Sequence, residues 1–220
     1  LGVTLQATQK DSEDDSFGND YDKDAEEEIT VPKFDYDYEN AGVLYTRNDA
    51  GEIIGAIVPG VMGKVPDGFF TNSIFDKLTT VEIQEGVTEI GDQAFNMCTA
   101  IKSLELPSTL KTVGYRAFHH LHALKSVNIP EGTVLEEGAF RASGLEEVTV
   151  NGGSVGAQAF YNCPNLKKVV INSEVIGAGA FAYDRKLTTL VLNEGLTTIG
   201  ASAFQNCEGL KTLVIPSSVT

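Results

Sequence analysis

Tryptophan is absent from this 220-residue chain, and methionine, cysteine and histidine are scarce at two, three and three. Basic residues are also in short supply: 16 lysines and arginines face 31 aspartates and glutamates, for a formal net charge of −15. A surplus of that sign repels phosphate backbones and anionic lipid, so nucleic acid and membrane surfaces are not expected partners. No apolar run approaches the roughly 18 residues that a membrane-spanning helix needs. The chain opens on Leu1 without a charged-then-apolar leader, which reads as a piece trimmed from a longer protein. There is no Asn-x-Ser/Thr acceptor, which disfavours a eukaryotic secreted origin. Phosphate-binding glycine loops, HExxH helices and Ser-His-Asp orders are missing too, so no catalysis is expected.

What the chain does have is repetition. The stretch Val87–Phe95 reads VTEIGDQAF, is followed by Cys98, and recurs in altered form down the C-terminal two-thirds. Aligning on the aromatic gives Phe95, Phe118, Phe140, Phe160, Phe181 and Phe204, each preceded five residues earlier by an aliphatic: Ile90, Val113, Leu135, Val155, Ile176 and Ile199. A second register, Leu78, Ile101, Leu124, Leu145, Leu166, Leu187 and Leu210, opens units of 23, 23, 21, 21, 21 and 23 residues. A period in this range is the mark of a solenoid, in which each unit buries its apolar face only by stacking on its neighbours.

Charge divides the chain further. Residues 1–40 hold thirteen acids against Lys10, Lys23 and Lys33, leaving 18 acids and 13 bases for the remainder. Residues 1–33 have little apolar material to bury and read as an acidic linker or tail. Asp20, Asp22 and Asp24 alternate like the start of a calcium loop, but Ala25 stands at the turn-glycine position and Val31 where the closing Glu belongs. Residues 34–77 read as a hairpin cap and a degenerate first repeat. The β-like runs Val43–Arg47 and Glu52–Val58 flank the polar turn Asn48–Gly51, and Val65 and Phe70 stand five apart as in later units. Residues 78–220 hold six full units and the opening strand of a seventh.

Each unit folds on paper. The alternation predicts parallel strands at Val81–Ile83, Leu104–Leu106, Val127–Ile129, Val148–Val150, Val169–Ile171, Leu190–Leu192 and Leu213–Ile215, all in one sheet. A turn, a crossing through the aliphatic position and a second corner follow. Gly91, Gly114, Gly156, Gly177 and Gly200 mark that corner, where either a positive φ or a close backbone approach is expected; Glu136 breaks the series. The Ala-Phe pair then points inward from a short 3₁₀ or α-helical turn.

LTTVEIQEGVTEIGDQAFNMC at Leu78–Cys98 and LTTLVLNEGLTTIGASAFQNC at Leu187–Cys207 resemble the BspA-like, or Treponema-type, leucine-rich repeat family of bacterial surface proteins. The resemblance covers about Leu78–Thr220, with Ile53–Lys77 a weaker fit. It implies a right-handed, β-rich leucine-rich-repeat solenoid with one parallel sheet. It also implies export to the bacterial cell surface and adhesion to host or extracellular-matrix proteins or to other bacteria. The expected partner held against the array is a protein (host, matrix or other bacterial surface protein) or a glycan, and no cofactor is expected. The alternative is a structural spacer presenting a domain beyond residue 220.

Three features remain as candidate sites. Cys98, Cys163 and Cys207 each fall three residues after a repeat Phe, where other units place Leu121, Ser143 and Asp184; they read as buried thiols too far apart for disulfides. His119, His120 and His122 cluster after Phe118, but two imidazoles on one face make half a metal site, and a solvent-facing turn is the simpler reading. The outward strand column runs Glu82, Glu105, Asn128, Thr149, Val170, Val191 and Val214, from acidic to apolar. Val170, Val191 and Val214, beside Lys168, Thr189 and Thr212, form the candidate partner-binding strip.

Overall fold

The computed structural model describes residues 35–36 and 42–220. The acidic linker at residues 1–33 and the Asp20–Asp24 alternation lie outside the described residues. In chain order the first strands are β1 (Asp35–Tyr36), β2 (Leu44–Arg47), β3 (Ile53–Val58), β4 (Lys64–Val65) and β5 (Thr80–Ile83). Then come β6 (Glu89–Ile90), β7 (Ser103–Glu105), β8 (Thr112–Val113), β9 (Val134–Leu135) and β10 (Glu147–Asn151). The last five are β11 (Ser154–Val155), β12 (Lys168–Asn172), β13 (Val175–Ile176), β14 (Thr189–Leu192) and β15 (Thr198–Ile199). Helix is confined to 3₁₀ turns at Gly60–Met62 and Ser73–Phe75 among the described residues.

These strands wind as a β-solenoid with three walls. The predicted strand column forms the first wall, in two sheets rather than one: β1-β2-β3-β5-β7 and β10-β12-β14. Val127–Ile129 and Leu213–Ile215 are not strands. The column immediately after the strands is occupied by Gln84, Pro107, Pro130, Asn151, Asn172, Asn193 and Pro216; both strandless coils end in proline, although the coil ending in Pro107 still forms β7. Gln84 N–H reaches Val58 O and Asn193 N–H reaches Ile171 O, closing the strand ends. A proline there has no N–H to give. The asparagine coils add a side-chain ladder, with Asn172 Nδ2 donating to Asn151 Oδ1 and Asn193 Nδ2 to Asn172 Oδ1.

The second wall was not anticipated as a sheet. It is seven-stranded, in the order β15-β13-β11-β9-β8-β6-β4, and each strand is only two residues long. Its inward members are the aliphatics five before each Phe, paired in register as Val65↔Ile90, Ile90↔Val113 and Ile176↔Ile199.

The third wall is the turn that carries Ala-Phe. Its rings stack from Phe70 through Phe95, Phe118, Phe140, Phe160 and Phe181 to Phe204, with centroids 4.4–5.7 Å apart and planes within 24°. The unit-opening Leu78, Ile101, Leu124, Leu145, Leu166 and Leu187 are fully buried beside them. Burial of each phenyl contributes about 1.5–3 kcal/mol. The hairpin β2–β3 caps this core at the N-terminal end, and β3 pairs parallel with β5.

The corner glycines are there for close approach and not for a left-handed turn. None of Gly91, Gly114, Gly156, Gly177 and Gly200 has a positive φ. They are glycine because the backbone of the previous coil passes too close: a Cβ on Gly156 would lie 2.5 Å from Leu135 O, and one on Gly200 2.4 Å from Ala178 N. The left-handed positions come two residues later. That column reads Gly68, Gln93, Arg116, Gly138, Gln158, Gly179 and Ser202, and a second, two after each Phe, reads Met97, His120, Ala142, Asn162, Tyr183 and Asn206. Each non-glycine residue there costs about 1–2 kcal/mol. The geometry is held because it aims backbone N–H groups at the next coil: Gln93 at Tyr115 O (2.7 Å), Phe95 at Ala117 O (2.8 Å) and Met97 at His119 O (3.0 Å).

Candidate functional site

The valine strip lies on the outer face of the three-stranded sheet. Val170 sits opposite Val191, with Lys168 opposite Thr189. Val170 is half-buried, Val191 is 40% exposed and Val214 81% exposed. Val214 and Thr212 belong to the segment after β15 that forms no strand, so the structure brings together the first two coils of the strip and leaves the third as irregular chain. Leu213 and Ile215 are exposed there as well. Lys168 Nζ is 3.7 Å from Glu147 Oε2, an exposed pair that leaves the lysine accessible at the rim.

The cysteine column is buried, and its thiols are free. Cys98 Sγ donates to Phe70 O (3.2 Å), Cys163 Sγ to Phe140 O (3.4 Å) and Cys207 Sγ to Phe181 O (3.0 Å), in each case one coil back. Burial pushes the Cys98 and Cys207 thiols up to about 12 and Cys163 further up, so none is a thiolate near neutrality.

The same column holds a residue whose burial was not foreseen as a burden. Asp184 is fully buried, accepts Cys163 N–H at Oδ1 (2.7 Å), and its Oδ2 has no partner. Burial raises its pKa to about 9 against the opposing hydrogen bond from Cys163, so it is a neutral acid at pH 7. The signal was a carboxylate in a column otherwise filled by Cys, Leu and Ser.

The histidines lie on the turn wall, half-buried except His122. His119 Nδ1 is 3.1 Å from Asn96 Oδ1, and His120 Nδ1 is 3.1 Å from His122 Nε2. Among the described residues no three His, Cys, Asp or Glu side chains are grouped to hold a metal ion. Burial pushes His119 down to about 4, helped by the cationic surroundings of His120, Arg116, Arg141 and His122. Among the described residues no helix is long and apolar enough to cross a membrane.

A family model described as "BspA type Leucine rich repeat region" matches in six copies over residues 63–175 and 132–220. Among solved structures, a leucine-rich repeat protein of T. pallidum shares 23% identity at a TM-score of 0.62, over 76% of this chain and 87% of that one. A leucine-rich repeat protein from Bacteroides ovatus shares 19% identity over 74% of this chain and 60% of the other, at a TM-score of 0.39. A leucine-rich cell surface protein from Faecalibacterium prausnitzii shares 16% identity over 81% and 82%, at a TM-score of 0.34. No curated protein matches the chain.

Proposed function

Because the chain belongs to the BspA type leucine-rich repeat family, we propose that it is a non-catalytic binding module displayed on a bacterial cell surface, with a host, matrix or bacterial surface protein as its partner. Repeat arrays of this family are suited to protein binding, since stacked coils repeat one outward face at a fixed spacing. The observation that supports this reading is the outward apolar column Val170–Val191–Val214, exposed at Val191 and Val214 and rimmed by Lys168, Thr189 and Thr212. The next coil to the N-terminal side carries Thr149 at that position, so the apolar character is confined to the last coils. Apolar strips with polar rims are more frequent at interaction sites than on ordinary surface. A spacer role is the second reading, and the unbroken phenyl stack from Phe70 to Phe204 favours it as a stiff rod.

Val191→Glu separates the two. The side chain faces away from the core, so the thermal midpoint should change little, while binding to immobilised matrix protein or to a second copy should fall at least about tenfold. A variant that binds and self-associates like the parent would leave the strip as plain sheet surface and the spacer reading standing.

A further inference from the structure

The turn wall concentrates chemistry that the rest of this acidic molecule lacks. All three histidines of the chain and two of its four arginines lie there within two coils. The Arg116 guanidinium lies over the Tyr115 ring, 4.9 Å from its centroid, and that of Arg141 over the Tyr161 ring at 4.4 Å. Arg141 also donates to Gln158 Oε1. Neither arginine has a carboxylate partner among the described residues, although Lys64, Lys125, Lys167, Lys168 and Arg185 all do. Gly138 leaves room for the Arg116 side chain, since a Cβ there would meet Arg116 Cγ at 3.1 Å, while Arg141 in the same coil as Gly138 sends its guanidinium to Gln158 and Tyr161 of the next coil. The charged groups that act on His119 and His120 are cations, and no carboxylate is among them.

A guanidinium held flat on an aromatic face has lost little of its fork geometry and little of its side-chain freedom remains to be lost on binding. Two such forks suit planar oxyanions, which they grip bidentately. Beside them lie neutral, multifunctional groups, with Glu136 and Glu137 exposed just before Gly138. His119 is uncharged near neutral pH, and the phenols of Tyr115 and Tyr161 both donate and accept. Such a surface matches a ligand with few charges, many hydroxyls and flat C–H faces. A dense polyanion fits poorly, because the chain's net charge of −15 repels it at longer range.

We infer that the patch of Tyr115, Arg116, His119, His120, Arg141 and Tyr161 is a binding site for carboxylated sugars within a glycan, each arginine seating a carboxylate and the ring side chains taking the sugar faces and hydroxyls. The site occupies a different wall from the valine strip and stands whether or not that strip binds protein. The test uses the full chain at physiological ionic strength, with an oligosaccharide of alternating glucuronate and N-acetylglucosamine and its carboxyl-reduced counterpart as probes, followed by calorimetry. The acid form should bind saturably and the reduced form more than about tenfold more weakly. Arg116→Gln with Arg141→Gln should abolish the difference while the variant still unfolds in a cooperative thermal transition, since both residues are only half-buried and lie outside the phenyl core. Arg116→Lys with Arg141→Lys keeps the charge, loses the fork and should bind weakly; Lys102→Gln with Lys111→Gln, an equal charge change away from the patch, should bind normally. No saturable binding in the millimolar range, equal binding of the reduced sugar, or tighter binding of a polyglutamate peptide than of the sugar would each overturn the assignment.

Discussion

At the scale of single residues, the side chains that depart from their columns carry the information. Asp184 stands where a thiol, hydroxyl or leucine stacks elsewhere, and burial lifts its pKa from 3.8 to about 9. A carboxyl raised in the folded state favours folding most below its unfolded pKa; that contribution is lost as pH rises towards the folded value, by up to ~1.4 kcal/mol per pH unit. The thermal midpoint should therefore fall between about pH 4 and 9. Asp184→Asn keeps an acceptor for Cys163 N–H and removes the ionisation, so its midpoint should change less over that range and exceed the parent's at pH 8. The corner glycines make the opposite point. Gly177→Ala places a Cβ where 2.5 Å separates it from Ala157 N, and should cost on the order of 1–3 kcal/mol in urea denaturation. The Gly series was legible in the sequence, but its cause was not: periodicity shows that a glycine recurs, while only the distance to the neighbouring coil distinguishes crowding from a left-handed turn. The left-handed residues, Gln93, Arg116, Gln158 and Ser202 among them, share no residue type that could have marked them.

At the scale of elements, the first wall is divided by its proline column. β7 ends at Glu105, the coil ending in Pro130 has no strand, and the three asparagine coils carry β10, β12 and β14. Apolar alternation alone predicts a strand at Val127–Ile129, because Val127 and Ile129 do face the core. Pairing, however, requires amide donors and matching coil lengths, and the unit that opens at Leu124 is two residues shorter than the one before it. The backbone amides of Ser126, Val127 and Asn128 should accordingly exchange hydrogen orders of magnitude faster than those of Val148 and Val150, which mass spectrometry of peptides from the two segments would show. Equal protection would mean that the gap is closed in solution. The two-residue strands of the second wall escaped the sequence reading because a run of two has no alternation to detect; they exist because the stacked aliphatics beneath them fix their register.

At the scale of the molecule, stability is a chain of nearest-neighbour contacts, since each coil touches only the one before and the one after. Phe140 lies mid-stack and fully buried, between Phe118 at 5.0 Å and Phe160 at 5.6 Å. Phe140→Ala should cost roughly 3–5 kcal/mol and broaden the urea transition, because it weakens both of its interfaces in the region where the first wall is already broken. Phe204 is half-buried with one stacked neighbour, Phe181, among the described residues, and its truncation should cost less. Comparable losses at the two positions would show that the array unfolds as one block without local character.

The sequence alone determined the repeat, the inward ladders of Phe, aliphatic and Leu, the buried thiols and the hairpin, because each depends on periodicity and burial that one coil shares with the next. Strand alternation also put Val170 and Val191 at outward positions of β12 and β14, whereas Val214 falls in chain that forms no strand and where Leu213 and Ile215 are exposed too. Tertiary structure decided what lies between coils: which glycines are crowded, where amides find partners, and that Arg116 of one coil covers Gly138 of the next. Those outcomes depend on the few ångströms separating neighbouring coils, a distance set by the packed rings and the changing unit lengths together.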